Sequence, residues 1–269
     1  MHYAFVPSTD KQPLSNAQNL LVFLSGLDSP LWVWQKTLVS LFGLAKSANV
    51  NLPPLLLYDR FGVGMSDADP TDVGKPEEAY HDALDAVDDL HELLREVIKS
   101  RNTVPDRGES AYPRLVFVAH SFGVAIARLY IARFPGRVSS VLFMDSAITS
   151  TPAERFIPNP DDANDWSQRR NWHPAFLNES QITEDQCREA ILKIRASPIS
   201  GHASTTKERM RWTNMPELLP YNEKPRLKGV KVTSMAYDPE VFIRKAVKVI
   251  TTFAHQAHLL TRVIAISVS

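Results

Sequence analysis

Short apolar runs alternate along the chain with longer segments that have helical spacing. Five of these runs have the length and composition of buried strands: residues 19–25, 54–58, 114–119, 138–144 and 230–236. Strands that are separated by helices favour parallel pairing, so the pattern predicts an α/β fold with a mostly parallel central sheet and helices on both faces. With 269 residues, of which 44% are hydrophobic, the chain can bury one large core.

The clearest helix is predicted over residues 76–101. Pro76 suits a first helical turn, and two glutamates follow it. One face is apolar, and the other carries a stripe of acids that includes Asp82, Asp85, Asp88 and Asp89. We interpret this stripe as a solvated surface, to which His81 and His91 also belong, because its members lack the spacing of metal ligands.

Composition and charge narrow the classes of partner. The 30 basic and 30 acidic residues give no formal net charge, so no global field favours nucleic acid or an anionic membrane, and a small-molecule partner fits better. The apolar runs are far shorter than the about 20 residues that span a bilayer. Cys187 is the only cysteine, and the first residues lack the features of a secretion signal, so we expect a soluble, cytoplasmic protein.

Candidate chemistry lies where the run 114–119 ends. The sequence Ala119-His120-Ser121-Phe122-Gly123 joins this run directly to a segment with helical spacing. A serine on so sharp a strand-to-helix turn adopts strained backbone angles, and small residues two positions away on either side let the turn close. Such a turn lifts the Ser121 hydroxyl clear of the sheet and points the free N–H groups of the helix start at whatever binds there.

Two further loops follow the earlier strands. The first is Ser25-Gly26-Leu27-Asp28, and the second is Asp59-Arg60-Phe61-Gly62-Val63-Gly64-Met65-Ser66. We interpret the second loop as scaffold, because the charges of Asp59 and Arg60 can brace a loop whose glycines permit tight turns. A phosphate-binding loop would need a Lys-Ser/Thr ending or a third glycine at the dinucleotide spacing, and the sequence has neither.

Together with the Ser121 turn, these loops resemble the α/β-hydrolase family. That family usually has Gly-x-Ser-x-Gly at the nucleophile and often has Asp-Arg-x-Gly-x-Gly-x-Ser after a central strand. Ala119 departs conservatively from the first glycine, and Ser25 stands where the family usually has histidine. The resemblance implies that the backbone N–H groups of Leu27 and Phe122 form an oxyanion hole.

The resemblance also implies a serine, acid, histidine order for the catalytic triad. Two acids qualify. Asp238 follows the last predicted strand, in a segment similar to the family's acid-bearing loop after strand seven, and Asp145 follows 138–144 at a position after strand six that some members use instead. Either aspartate could instead cap the turn that follows it.

The catalytic histidine can be accounted for in three ways. Only His255 and His258 follow Asp238, and the strand-like segment 262–268 comes after both, whereas the family order is a strand, the histidine and a closing helix. The first explanation is that the base reaches the site by an unusual path, with His258 as the candidate and His255 as the alternative. The second explanation is that the chain is truncated, and the third is that the protein has lost the base.

Residues 151–225 are too many for a plain loop. The resemblance implies that they form a helical cap inserted into an α/β-hydrolase core of residues 1–150 and 226–269. Trp172 and His173 are candidates for substrate contact in this cap. The expected function is a serine hydrolase acting on an ester, thioester or related carbonyl of a small organic molecule, without a metal or organic cofactor. The alternative is a non-catalytic or truncated ligand-binding protein that lacks the base.

Overall fold

A computed structural model describes residues 1–11, 13–14, 17–76, 80–101, 112–144, 183, 185, 208–210, 215–219 and 227–235. Nearly all of these residues belong to one compact unit, which consists of Met1–Thr151 and His202–Ala236. Only residues 183 and 185 fall in the second unit, Pro152–Gly201 with Tyr237–Ser269. The division into a core and a cap at residues 151–225 therefore stays a prediction.

In the part of the chain that the structure describes, six strands form one sheet with the order β1-β3-β2-β4-β5-β6. They are β1 (Tyr3–Val6), β2 (Asn19–Leu24), β3 (Leu55–Tyr58), β4 (Arg114–His120), β5 (Val138–Met144) and β6 (Lys231–Met235). β1 pairs antiparallel with β3, and every other neighbouring pair is parallel. The predicted mostly parallel sheet is confirmed, and β1 is an addition that the sequence analysis missed.

Helices cover both faces of the sheet. In the described residues they are α1 (Gln35–Ser47), α2 (Ala83–Arg101), α3 (Phe122–Arg133) and the short α4 (Met215–Leu218). Side chains alternate along β3, so that Leu56 joins the core that contains α2 and α3, while Leu55 and Leu57 join a smaller cluster that packs against α1. The α/β architecture with helices on both faces is thus confirmed.

Helix α2 begins later than its sequence pattern predicts. Its first residue is Ala83 rather than Pro76. Asp82 lies outside the helix, and its Oδ1 accepts the N–H of Asp85 at 3.2 Å, while Asp85 Oδ2 accepts the N–H of Asp82 at 2.8 Å. This reciprocal capping satisfies free N–H groups of the first turn and fixes the start of the helix.

The assignment of two histidines to the solvated face of α2 is wrong. The side chain of His81 is only 13% exposed, and its Nε2 lies 2.8 Å from Asp72 Oδ1. His91 Nδ1 lies 3.0 Å from the Tyr130 hydroxyl, and its ring stacks on Phe134 at a centroid distance of 3.8 Å. Both imidazoles therefore pack against neighbouring groups.

The described part of the chain contains neither a metal-ligand cluster nor a membrane-spanning helix. No group of three or more His, Cys, Asp or Glu side chains in that part of the chain could hold a metal ion. Nor does any helix among those residues have the length and apolar character needed to cross a membrane.

Candidate active site

Ser121 occupies the turn between β4 and α3. Its backbone angles, φ 52° and ψ −121°, lie in a region that residues other than glycine rarely adopt. The N–H of Ser121 donates to the carbonyl of Met144 at 3.2 Å, and its carbonyl accepts the N–H of Val124 at 3.0 Å. The end of β5 and the first turn of α3 therefore hold the strained conformation in place.

The small residues of the motif let this turn pack against a neighbouring strand. A Cβ atom on Gly123 would overlap the carbonyl oxygen of Leu24 and would lie 2.7 Å from the carbonyl carbon. These are backbone atoms of a central strand, which cannot swing aside as the end of a flexible side chain can. Ala119 is completely buried. Position 123 therefore requires glycine, and position 119 has a small residue in the core.

The loop after β2, residues 25–28, lies directly against the Ser121 turn. A Cβ atom on Gly26 would be 3.3 Å from the Cβ of Ser121 and 3.6 Å from Nδ1 of His120. Ser25 is buried, and its hydroxyl accepts a hydrogen bond from Trp34 Nε1 at 2.9 Å. The residue at the usual histidine position thus anchors an indole in the core.

Two backbone N–H groups in this region are candidates for binding an anion. Phe122 is the first residue of α3, so its N–H has no acceptor one turn earlier in the helix. Within the described parts of the chain, neither this N–H nor that of Leu27 donates to a protein acceptor. The start of a helix also carries a partial positive charge, so the surroundings of Ser121 favour an anion.

A buried ion pair holds loop 25–28 in position. Arg60 Nε donates to Glu208 Oε1, and the two residues are only 5% and 3% exposed. The other two guanidinium nitrogens donate to the carbonyls of Ser25 at 3.0 Å and Gly26 at 2.6 Å. Glu208 Oε2 accepts the N–H of Asp28 at 2.8 Å. One ion pair therefore fixes backbone groups on both sides of Leu27.

Glu208 is a residue of this site that was not predicted from the sequence. It lies in the range that we predict as a cap, and its neighbours Lys207 and Arg209 make it resemble an ordinary surface charge. Burial raises the pKa of the Glu208 carboxyl above its usual value, and the charge of Arg60 and its hydrogen bond offset part of that rise. No local sequence signal distinguishes this glutamate, because its partner Arg60 is 148 positions away.

Asp59 braces the glycine-containing loop after β3. Its Oδ1 accepts the N–H of Leu31 at 2.6 Å, and its Oδ2 accepts the N–H of Met65 at 3.0 Å and lies 3.2 Å from Nδ1 of His2. Gly64, at φ 58°, passes so close that a Cβ atom there would lie 2.5 Å from Asp59 Oδ2. The hydrogen bonds of Asp59 agree with its interpretation as scaffold.

The structure brings some of the predicted site residues together. Ser121 and Phe122 form the turn, and the loop that contains Leu27 contacts it. The remaining predicted site residues lie outside the described residues: Asp145, Asp238, His258, its alternative His255, Trp172 and His173. The acid, the base and the substrate contacts therefore stay predictions.

Comparisons with known proteins give a family and a set of similar folds. The model of the alpha/beta hydrolase family matches residues 21–250. No curated protein sequence matches the chain. Similar solved structures include MGS-M2, an alpha/beta hydrolase enzyme from a Medee basin deep-sea metagenome library, with 16% identity, coverage of 90% of each chain and a TM-score of 0.42.

Two further solved structures have comparable sequence identities and TM-scores. One comes from work on carboxylesterases of the ammonia-oxidizing thaumarchaeon Nitrososphaera gargenis, with 15% identity, coverage of 97% of this chain and 95% of that one, and a TM-score of 0.42. The second is Est816, described as an N-acyl homoserine lactone degrading enzyme, with 14% identity, coverage of 87% and 88%, and a TM-score of 0.39.

Proposed function

Because the chain belongs to the alpha/beta hydrolase family, we propose that it is a serine hydrolase acting on an ester, thioester or related carbonyl of a small organic molecule. The observation that carries the proposal is the strained turn at Ser121, with φ 52°, next to the first N–H groups of α3. Such strain is unfavourable by about 1–3 kcal/mol and is characteristic of functional sites. We propose that the hydroxyl on this turn lies beside donors that can stabilise an anion.

In the proposed reaction, Ser121 Oγ attacks the carbonyl carbon of the substrate. Its proton passes to a histidine, for which His258 is the candidate and His255 the alternative. Asp238 or Asp145 orients that histidine and stabilises its charged form. The new carbon–oxygen bond turns the carbonyl oxygen into an oxyanion.

The N–H groups of Leu27 and Phe122 donate to this oxyanion. When the tetrahedral intermediate collapses, the alcohol or thiol leaves with the proton from the histidine, and the acyl group stays on Ser121. Water then attacks the acyl-enzyme with the same histidine as base, which releases the carboxylic acid and restores the hydroxyl. Trp172 and His173 are the proposed substrate contacts.

Replacement of the nucleophile tests the proposal. Ser121→Ala is expected to lower kcat for p-nitrophenyl butyrate hydrolysis by roughly three orders of magnitude or more, because the acyl-enzyme cannot form. It should also abolish labelling by a fluorophosphonate probe, which needs an activated hydroxyl but no knowledge of the natural substrate. The matched control is Ser139→Ala, since the Ser139 hydroxyl, on β5, donates to the carbonyl of Leu115 at 3.2 Å.

The same assay separates the enzyme from the ligand-binding alternative. A folded wild-type protein that neither turns over the ester nor reacts with the probe would favour a non-catalytic ligand-binding protein. If the wild-type protein is active, His258→Ala should remove most of kcat and His255→Ala should not. The reverse result would transfer the role of base to His255.

A further inference from the structure

We propose that Glu208 is a positioning residue that orients the Leu27 N–H for oxyanion binding, acting through Arg60 and through the backbone of loop 25–28. The proposal rests on the proposed serine-hydrolase function. It concerns a residue that does not touch the substrate in the reaction described above. Its basis is the set of hydrogen bonds that surrounds the two peptide groups of Leu27.

The peptide group before Leu27 is fixed by Arg60. The carbonyl of Gly26 and the N–H of Leu27 belong to the same planar group, and in a trans peptide they point in opposite directions. Arg60 Nη2 donates to that carbonyl at 2.6 Å, so the Leu27 N–H points away from the guanidinium. A charged donor on the carbonyl also polarises the peptide group, which makes its N–H a stronger donor.

The peptide group after Leu27 is fixed by Glu208. The N–H of Asp28 donates to Glu208 Oε2 at 2.8 Å, so the carbonyl of Leu27 points the opposite way, where it accepts the hydroxyl of Ser29 at 3.1 Å. Asp28 has φ 52°, an unfavourable angle for a residue with a side chain. The bond to Glu208 therefore helps to hold the loop in this conformation.

Both oxygens of the Glu208 carboxylate are occupied by donors. Oε1 accepts from Arg60 Nε and Oε2 accepts from the N–H of Asp28. A buried ion pair is in general weak evidence for stability, because desolvation offsets most of its attraction. Its contacts with the peptide groups next to Ser121 point instead to a role in the geometry of the site.

Glu208→Gln tests the role with nearly the same side-chain volume. A glutamine can turn its oxygen toward Arg60 or toward Asp28, and its NH2 group then meets an N–H donor at the second position. The loop must shift, and the Leu27 N–H moves with it. We expect kcat to fall about 10-fold to 100-fold, since loss of a whole oxyanion donor costs about 100-fold to 1,000-fold. KM should stay within about threefold, because this N–H stabilises the transition state more than the bound substrate.

Asp59→Asn is the matched control. Asp59 is also a buried carboxylate, 1% exposed, whose two oxygens accept the N–H groups of Leu31 and Met65. These hydrogen bonds involve neither of the peptide groups that flank Leu27. This variant should lose stability as Glu208→Gln does, as measured by urea unfolding, yet retain kcat within about threefold.

The outcomes distinguish this proposal from the proposed function. If Ser121→Ala abolishes turnover while Glu208→Gln retains the wild-type kcat, the enzyme stands and the positioning role is wrong. Equal losses of kcat in the Glu208→Gln and Asp59→Asn proteins would also overturn the role, because general loosening would explain both. If Ser121→Ala retains turnover, both proposals fall. Should Glu208→Gln not fold, Glu208→Asp keeps the charge but withdraws it by one methylene, and the same fall in kcat at constant KM is expected.

Discussion

The loops after β2 and β3 are braced by consecutive residues in different ways. Asp59 accepts hydrogen bonds from its own loop at Met65 and from the segment at Leu31, and it contacts the ring of His2. Arg60 instead donates to the neighbouring loop 25–28, and its charge is balanced by Glu208. Two adjacent side chains therefore stabilise two separate loops.

The difference lies in how far along the chain each brace extends. The partners of the Asp59 side chain named above all lie within 57 positions of it, and two of them are backbone N–H groups that almost any residue could supply. The brace of Arg60 depends on one particular side chain 148 positions away. Loop 25–28, next to Ser121, therefore reaches its observed conformation only when Glu208 is also in place. This dependence couples the candidate oxyanion hole to a distant part of the chain.

The largest predicted effect comes from breaking the buried ion pair between Arg60 and Glu208. Arg60→Met leaves the Glu208 carboxylate buried beside a thioether and removes the donors to the carbonyls of loop 25–28. We expect the free energy of unfolding to fall by about 3–5 kcal/mol, the usual cost of leaving one buried charge unpaired. Urea denaturation at neutral pH measures it.

An exposed ion pair supplies the control for Arg60→Met. Arg133 Nε lies 2.6 Å from Asp88 Oδ1, and both side chains are 47% exposed. Arg133→Met should therefore cost less than about 1 kcal/mol. Equal losses in the two variants would show that burial does not distinguish the Arg60 pair.

Disturbing the hydrogen bonds of the Asp59 side chain should have a smaller effect on stability. Gly64→Ala puts a methyl group onto Asp59 Oδ2 and places a side chain at φ 58°. We expect a loss of about 2–3 kcal/mol in urea unfolding, from backbone strain together with displacement of the carboxylate.

Gly74→Ala separates those two contributions. Gly74 also has a positive φ, 80°, but a Cβ atom there would meet nothing within 4 Å. Its substitution should cost only the strain, about 1 kcal/mol. If the two alanine variants lost the same stability, the overlap with Asp59 would contribute nothing and the brace would tolerate displacement.

This contrast also explains what the sequence could predict. The five apolar runs, the Ser121 turn and the scaffold interpretation of Asp59 depend on periodicity and on residues a few positions apart, which a single sequence displays. The start of α2 was also open to prediction, because Asp82 and Asp85 form a capping pair, but Pro76 gave a competing signal for the start. β1 was missed because four residues, Tyr3–Val6, give too short a pattern.

Glu208 could not be predicted in the same way. Its importance arises only from its position beside Arg60 and Asp28 after the chain has folded, and its pairing across 148 positions leaves no spacing to recognise. The same reason applies to the acid and the base of the triad, for which the sequence leaves Asp238 and Asp145, and His258 and His255, as alternatives. Local motifs define the candidate nucleophile, whereas its partners depend on tertiary structure.

Asp89 on α2 extends the comparison to a carboxylate in acidic surroundings. Burial, with a further contribution from Asp69, raises the pKa of Asp89 to about 6. The folded state therefore binds more protons than the unfolded state between about pH 4 and pH 6, so the contribution of Asp89 to stability is greatest below this window and falls as pH rises through it. The sign is the opposite of that for a carboxylate whose pKa is lowered by an ion pair.

The smallest predicted effect follows from this sign. Asp89→Asn removes the proton-linked loss, so the variant should be more stable than the wild-type protein at pH 7 and nearly equal to it near pH 3, where both states carry a protonated Asp89. The gain should be at most about 1 kcal/mol, because Asp89 is only half-buried, so that water still solvates its charge and screens the repulsion from Asp69. Urea unfolding of both proteins across this pH range measures the difference. A gain of the same size at both ends of the range would trace the effect to side-chain packing, and a loss at pH 7 would show that the charged Asp89 has a stabilising partner.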